Sequence, residues 1–562
     1  MKIRKNIFSI AFPLVAAGVL AFATGCGDSL LDNLDSNQEV ISGASVAQTV
    51  DQAAGMFLTA QQKMHDIGTT GGPHQYQYQF NLHIDNYSGY LCLPHNFDGR
   101  QPSAYAYFPD FAGGPLGSFF RVSTQALPVV RGAKDLGVAE LGAMASIIYC
   151  YSALELSDVY GPFPWWDYKN DKQDPPMTYY PMKDIYDSIF VDLKKAVEIL
   201  ENFPNTSEEH QSIINNILTT KDKICGGEIE NWIGFANSIR LRMAVRMSNV
   251  EPSRAEQEAR DAIAAGVLKT NVQYDETLEG LIHPIAFIAT KWGDTRLNAS
   301  FENLLKRLNS PMLAVWFDKN SAAIKNPQGD ILVEENSDYI GVRAGIDTSP
   351  RDNSNRYMSY STPTSKFSMH PIALFKLSEV YFLKAEAKLR WNIGSEVLSY
   401  LYQQGIKQSF VDEGFGKTSS EYTQYYNQSE ADIEVDYVDP LNSYNNAEGL
   451  VTIGVKWNNS DPKEVQLEKI ITQKYIANYP QGLEAWNDLR RTGYPRIFPV
   501  DDIGDGSLSP GGKMIRRIIW DQRDASTAED ILSSGLDALG GGNYQRTRLW
   551  WDTGNTAGNN GL

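Results

Sequence analysis

Cysteine and histidine are scarce in this sequence, four and seven in 562 residues. No spacing between them matches a zinc site. Positive charge is also short: 50 Lys and Arg stand against 68 Asp and Glu, for a net charge of −18. Phosphate binding needs a basic surface, so nucleic acid is not an expected partner, and a basic membrane-binding face is equally absent. The chain contains no Gly-x-Ser-x-Gly, no His-Glu-x-x-His and no glycine-rich phosphate loop. Sixty-eight carboxylates supply glycosidase-like pairs by chance, but no spacing singles one out. Asp501–Gly506, "DDIGDG", has the flavour of a calcium loop, yet Ile503 occupies a ligand position. No catalytic residue, metal site or cofactor is therefore expected.

What is present begins at the N-terminus. Lys2, Arg4 and Lys5 precede a mostly apolar run from Ile7 to Ala23, broken by Ser9, Pro13 and Gly18 and closed by small residues. This is the layout of a secretory signal. A spanning helix wants about 18 or more clean apolar residues without a proline. Ala23-Thr24-Gly25-Cys26 resembles a bacterial lipobox, in which the cysteine is acylated and the chain is cut before it. The expectation is a signal peptide over 1–25 and a mature chain, 26–562, that begins at lipidated Cys26. Multiple acyl chains make such a tether stable. Loss of three positive charges takes the mature chain to −21. Asp28, Asp32 and Asp35 follow, and this polar stretch is similar to the surface-export signals of Bacteroidetes lipoproteins. Cys92, Cys150 and Cys225 remain, so at most one intramolecular disulfide can form, and the apolar setting of Cys150 predicts a buried thiol.

A charged fraction of 21% and a hydrophobic fraction of 42% describe a globular chain. Aromatics are abundant, with 29 Tyr and 11 Trp. Such rings combine an apolar face with a polar handle, which suits sugars, although most of them will fill the core. Helical periodicity appears in four pairs: about 136–160 with 183–202, 231–250 with 253–268, 371–391 with 395–410, and 463–480 with 482–493. The helix ending at Tyr160 stops on Gly161-Pro162. Four antiparallel pairs predict a helical-repeat scaffold over about 130–270 and 370–500. Long stretches rich in Gly, Pro, Asn, Asp and Tyr, about 68–127, 270–370 and 410–461, read as functional loop insertions with a few short strands.

Several of these segments carry a specific resemblance. "LSDVYGPFPWWD" at Leu156–Asp167 is similar to the Asp-x-Tyr-Gly-x-x-Pro turn of the SusD/RagB family of nutrient-binding outer-membrane lipoproteins. "FANSIRLRMAVRMSNV" at Phe235–Val250 resembles the family's Ala-Asn-Ser-Leu-Arg-Leu-Arg helix. "LSEVYFLKAEAKLRW" at Leu377–Trp391, "EAWNDLRRTGYPRI" at Glu484–Ile497 and "TRLWWDTG" at Thr547–Gly554 complete the series in family order, and point to the second SusD-like branch. Two places depart from the pattern: Asn309-Ser310-Pro311-Met312 replaces Asp-Pro-Arg, and "MIRRIIWDQRDAS" replaces a late Pro-Arg-Arg turn. The resemblance implies a mainly α fold, a right-handed α-α superhelix of four tetratricopeptide-like helix pairs. It implies a lipid-anchored protein on the exterior of the outer membrane. That protein captures glycans, or in some members peptides, and caps a SusC-like TonB-dependent transporter.

Within the motifs, Arg242 and Arg246 share a helix face at i,i+4. They invite either an anionic ligand or scaffold acids such as Glu379, Glu386 and Asp488, and the scaffold role is the expected one. Arg490-Arg491 reads the same way, and Trp165-Trp166 and Trp550-Trp551 read as core. Ligand contacts are expected outside the motifs, in the His83–Phe108 loop. There Tyr87, Tyr90, Tyr105 and Tyr107 lie among Asp85, Asn86, His95, Asn96 and Arg100, an aromatic platform with convergent polar groups. Tyr87 and Tyr90 are the leading candidates. The resemblance adds the loop Thr290–Asn298, with Trp292 and Arg296. A glycoside hydrolase is the less favoured alternative to a glycan- or peptide-binding protein.

Overall fold

The computed structural model describes residues 46–65, 72–97, 110–172, 174–276, 278, 281–346, 348, 355–500 and 514–554. Cys26, the "DDIGDG" stretch, Arg100, Tyr105 and Tyr107 lie outside them. Eleven longer helices carry the scaffold: α1 (Val50–Lys63), α2 (Gly114–Gly132), α3 (Ala139–Tyr160), α4 (Met182–Glu201), α5 (Glu208–Lys221), α6 (Ile229–Arg246), α7 (Pro252–Ala264), α8 (Leu377–Trp391), α9 (Leu398–Asp412), α10 (Lys463–Asn478) and α11 (Gly482–Thr492). The expected pairs form: α3 packs on α4, α6 on α7, α8 on α9 and α10 on α11. Contacts of α4 with α6, α6 with α8 and α8 with α10 join one pair to the next, so the fold is the expected mainly helical, tetratricopeptide-like superhelix.

Three helices, α1, α2 and α5, extend this frame beyond the expected pairs. Helix α2 lies partly inside the stretch read as loop, and α1 packs across both α2 and α3. Gly113, Gly114, Pro115 and Gly117 at its start, and Pro128 within it, disguise α2. Pro115 costs nothing in the first turn, where its missing N–H would be unpaired anyway. Buried Phe119, Phe120, Val122, Ala126 and Val129 supply the packing that outweighs the poor local propensity. Helix α3 ends as expected, at Gly161 with φ +93°, a conformation that L side chains rarely adopt.

Strands are few and short among the described residues, in four antiparallel two-stranded pairs. One of them, Leu91–Cys92 with Arg296–Leu297, ties the two loops expected to touch ligand. Cys92, Cys150 and Cys225 are all free and buried, and burial pushes the Cys92 thiol up to about 12. No helix among the described residues is long and apolar enough to cross a membrane.

A buried charged seam runs through the superhelix. Arg242 on α6 grips Glu379 on α8 in a two-pronged pair at 2.7 and 3.0 Å. Arg246, one turn on, bonds Asp158 on α3 and Glu484 on α11. Lys474 on α10 lies 2.9 Å from Asp488 on α11. Arg491 on α11 reaches Glu386 on α8 at 2.5 and 2.9 Å and Asp488 at 2.9 Å. Asp158 also accepts from Tyr186 at 2.6 Å and from the Trp551 indole at 2.9 Å. Burial alone would raise the Asp488 carboxyl, but Lys474 and Arg491 outweigh it and hold it at about 2. The motif segments are thus structural: Arg242, Arg246 and Arg491 pair with scaffold acids, Arg490 instead donates to the carbonyls of Asp158 and Arg516 and to Asn487, and Trp165 and Trp551 are fully buried.

Candidate functional site

The leading sequence candidates fold inward. Ile84–Tyr87 forms a single helical turn packed against α11. Tyr87 is 1% exposed and Tyr90 0%. The Tyr87 ring lies 5.4 Å from Trp486. Tyr90 is enclosed by Tyr475 at 4.5 Å, Phe301 at 5.0 Å and Tyr479 at 5.2 Å, and its hydroxyl donates to the Tyr475 carbonyl. Asp85 and Asn86 are buried beside them. Asp85 accepts from Asn81 at 3.2 Å, and burial pushes its carboxyl up to about 7 against that bond. None of these four side chains offers a face to a ligand in this arrangement, so the expectation centred on Tyr87 and Tyr90 is corrected. The spacing of Ile84, Tyr87 and Leu91 is helical, a signal for core that the polar neighbours mask.

Arg296 is likewise scaffold. It is buried, and its guanidinium donates to the carbonyls of Gly293, Thr295 and Met358 at 2.7–3.2 Å. Burial lowers it to about 10, with partial compensation from Asp294. Asn96 is half-buried, and His95 Nδ1 lies 2.6 Å from its carbonyl oxygen.

Trp292, in contrast, belongs to a row of accessible rings. Phe97 meets Phe111 edge to face at 5.5 Å. Phe111 stacks on Tyr78 at 4.9 Å, Tyr78 neighbours His74 at 6.1 Å, and His74 lies over Trp292 at 4.4 Å. Phe287 closes the row against Trp292 at 5.2 Å. Phe287 is 39% exposed, His74 is exposed, and Tyr78, Phe97, Phe111 and Trp292 are half-buried. Phe97 comes from the expected loop and Trp292 from the second one. Sequence reasoning misses His74, Tyr78, Phe111 and Phe287, because they lie up to 213 positions apart in the chain and only the fold assembles them.

Local backbone geometry marks the same place. Gln77–Asn81, which carries Tyr78, and Ile288–Trp292, which ends on Trp292, are both π-helical turns. Such turns are rare overall but frequent at functional sites; a third, Ile531–Gly535, carries no ring of the row. Gly293 follows with φ +76°, and a Cβ there would press on Met358 at 3.0 Å. Beneath the rings, Asp294 is buried and accepts from Gln77 Nε2 at 2.9 Å and His95 Nε2 at 3.1 Å.

Two other hollows suit a glycan less well. A cavity of about 30 Å³ inside the scaffold, bordered by His65, Tyr76, Tyr151, His283 and Lys376, has room for about one water. A wider groove of about 490 Å³ between α3, α4 and α5 has a half-buried His210 paired to Glu140 at 3.0 Å, and none of its lining residues is Phe, Tyr or Trp. Among the described residues, no cluster of three or more His, Cys, Asp or Glu could hold a metal. The aromatic row therefore offers the most suitable surface for stacking: several rings with tilted faces, edged by the exposed Thr290 and Lys291.

A family model described as SusD-like, "Susd and RagB outer membrane lipoprotein", matches residues 33–552. No curated protein matches the chain. Among solved structures, it is similar to a chitin-binding SusD homolog from Flavobacterium johnsoniae, at 28% identity over 89% of this chain and 98% of that one, with a TM-score of 0.77. A SusD homolog from Bacteroides vulgatus ATCC 8482 gives the same identity, coverage and score. One from Bacteroides uniformis ATCC 8492 is 25% identical over 89% and 99% of the two chains, with a TM-score of 0.74.

Proposed function

Because the chain belongs to the SusD-like family of outer membrane lipoproteins, we propose that it is a non-enzymatic surface protein that captures oligosaccharides on the aromatic row from Phe97 to Phe287. The observation that carries this reading is the row itself: six partly open rings in contact with one another, two of them, Tyr78 and Trp292, carried on π-helical turns. Each ring gives a sugar's C–H face an apolar surface, and a row of several favours an oligosaccharide over a single sugar. A binding role also suits Asp294, the carboxylate beneath the row, which is buried and already engaged by Gln77 and His95. A catalytic acid would have to reach the glycosidic oxygen.

Cys26 carries the lipid anchor, the protein faces the cell exterior, and the captured glycan passes to a SusC-like TonB-dependent transporter. The transporter step rests on family likeness, an association rather than a mechanism. Cys26→Ser is expected to abolish lipid labelling and membrane association; continued labelling would remove the anchor assignment. Gentle-detergent pull-down from native membranes is expected to recover a TonB-dependent barrel, and its absence would count against the partnership. Calorimetric titration against a polysaccharide panel and a peptide digest, with reducing-sugar release followed in parallel, tests the function. Chitin oligosaccharides come first, because the Flavobacterium johnsoniae structure is described as chitin-binding. Binding without sugar release is expected. Binding of peptides alone, or release lost on a single carboxylate substitution, would overturn the reading.

A further inference from the structure

Five of the six rings sit on three stretches of chain, His74 and Tyr78 on the first, Phe97 on the second, Phe287 and Trp292 on the third, while Phe111 lies on a fourth. One buried carboxylate joins the first three. Asp294 lies two residues after Trp292, Gln77 immediately precedes Tyr78, and His95 is two residues before Phe97. Asp294 Oδ2 accepts from Gln77 at 2.9 Å and Oδ1 accepts from His95 at 3.1 Å. These three side chains are buried, His95 completely. The other His95 nitrogen, Nδ1, faces the Asn96 carbonyl at 2.6 Å, so the ring bridges Asp294 to the backbone that leads to Phe97. A second link runs in parallel: Asn81, at the end of the first π-helical turn, donates to the Thr295 hydroxyl at 3.4 Å.

We infer that Asp294 is the positioning residue of the ligand platform, a buried hub that sets the relative placement of Tyr78, Phe97 and Trp292 without touching ligand itself. The inference rests on the platform reading for its functional consequence, but the hub is a claim about geometry and is testable by itself. Hydrogen bonds to an ionised acceptor are shorter and stronger than neutral ones, and burial removes competition from water. The aromatic contacts above are individually weak and tolerate several tilts, so they do not fix one spacing by themselves. A rigid platform also avoids the cost of ordering loops on binding.

The test uses the full mature chain. Hydrogen–deuterium exchange is measured over 74–81, 91–97 and 288–296 without ligand, and calorimetry is run with chitin oligosaccharides. Asp294→Ala is expected to raise exchange in all three stretches and to weaken binding about tenfold, the equivalent of one charge-assisted hydrogen bond. His95→Leu, which removes one arm, should raise exchange in the other two stretches as well as its own. His95→Gln restores a donor and should return most of the protection. If Asp294→Ala does not fold, Gln77→Met and His95→Leu replace it, with the same requirement that the effect cross between stretches. Exchange that rises only around the substituted residue, or no difference between His95→Leu and His95→Gln, overturns the hub. Should the wild type bind no sugar while exchange behaves as described, the proposed function falls and the hub stands. Sugar binding with unchanged exchange in Asp294→Ala keeps the proposed function and removes the hub.

Discussion

The charged seam of the scaffold and the aromatic row are built on opposite principles. In the seam, long charged side chains are buried and each is answered by a partner from another helix, as Arg242 is by Glu379 and Arg246 by Asp158 and Glu484. In the row, rings meet one another but keep part of their surface open, Phe287 and His74 most of all. The seam spends its bonding capacity within the protein, which fixes how the helix pairs dock. On the proposed reading, the ring surface that stays open in the row receives the ligand. Substitutions should therefore separate cleanly, with seam residues changing stability and row residues changing affinity.

The largest expected effect is in the seam. Arg246→Ala leaves Asp158 and Glu484 without their shared partner, and breaking a buried pair from one side costs about 3–5 kcal/mol. Denaturant unfolding should show that loss, or the variant should fail to accumulate as folded protein. A folded Arg246→Ala of normal stability and reduced ligand affinity would reverse the comparison. Next comes a residue that the sequence assigns to the ligand and the structure to the core. Tyr90→Ala removes a fully buried ring, and large-to-small core changes of this kind cost about 3–5 kcal/mol. Thermal melts should fall while the affinity of the remaining folded molecules stays at the wild-type value.

Acid sharpens the contrast. Asp488 is held at about 2 in the folded protein against roughly 3.9 unfolded. A depressed carboxylate stabilises the fold above its unfolded value, and that contribution disappears as pH falls from about 4 through 2. The loss is roughly 2–3 kcal/mol, visible as a fall in melting temperature across that window and absent in Asp488→Asn. Asp85 should show the opposite sign. Burial pushes its carboxyl up to about 7, and Oδ1 has no hydrogen-bond partner. Its charge therefore costs stability increasingly as pH rises from about 4 through 7. Asp85→Asn should stabilise by on the order of 1–3 kcal/mol at pH 8, with the gain vanishing near pH 4. A gain at both pH values, or at neither, would mean that Asp85 is not buried as described.

The seam is legible in the sequence because its information is local. Arg242 and Arg246 stand one turn apart on a periodic helix, so helical period and charge predict partners among the acids of other helices; Glu379 answers Arg242 as expected, while Arg246 takes Asp158 and Glu484, which the sequence does not single out, and Glu386 and Asp488 go to Arg491. The four helix pairs are legible for the same reason. Helix α2 is not, because its prolines and glycines contradict its state and only packing against α1 and α3 restores it. The platform is half legible. Trp292 and the loop containing Phe97 stand out in the chain, but composition draws attention to Tyr87 and Tyr90, whose neighbours Asp85 and Asn86 look like ligand contacts and are buried polar groups instead. His74, Tyr78, Phe111 and Phe287 carry no local signal for a shared surface. Their adjacency depends on two π-helical turns and on Asp294, features of tertiary structure that hydrophobic period does not encode.

The smallest expected energy belongs to the row, and it bears on the central claim. Trp292→Ala should weaken oligosaccharide binding about tenfold, since a lost stacking contact is worth roughly 0.5–1.5 kcal/mol beyond area burial and 1.4 kcal/mol is a decade. The melting temperature should fall less than in Tyr90→Ala, because Trp292 is only half-buried. Calorimetric titration of wild type and Trp292→Ala with the oligosaccharide retained from the panel, each beside a thermal melt, makes the measurement. Weakened binding by a protein that the melt shows to be fully folded at the titration temperature is the expected result; equal affinity in both proteins would contradict the assignment of the aromatic row as the ligand site.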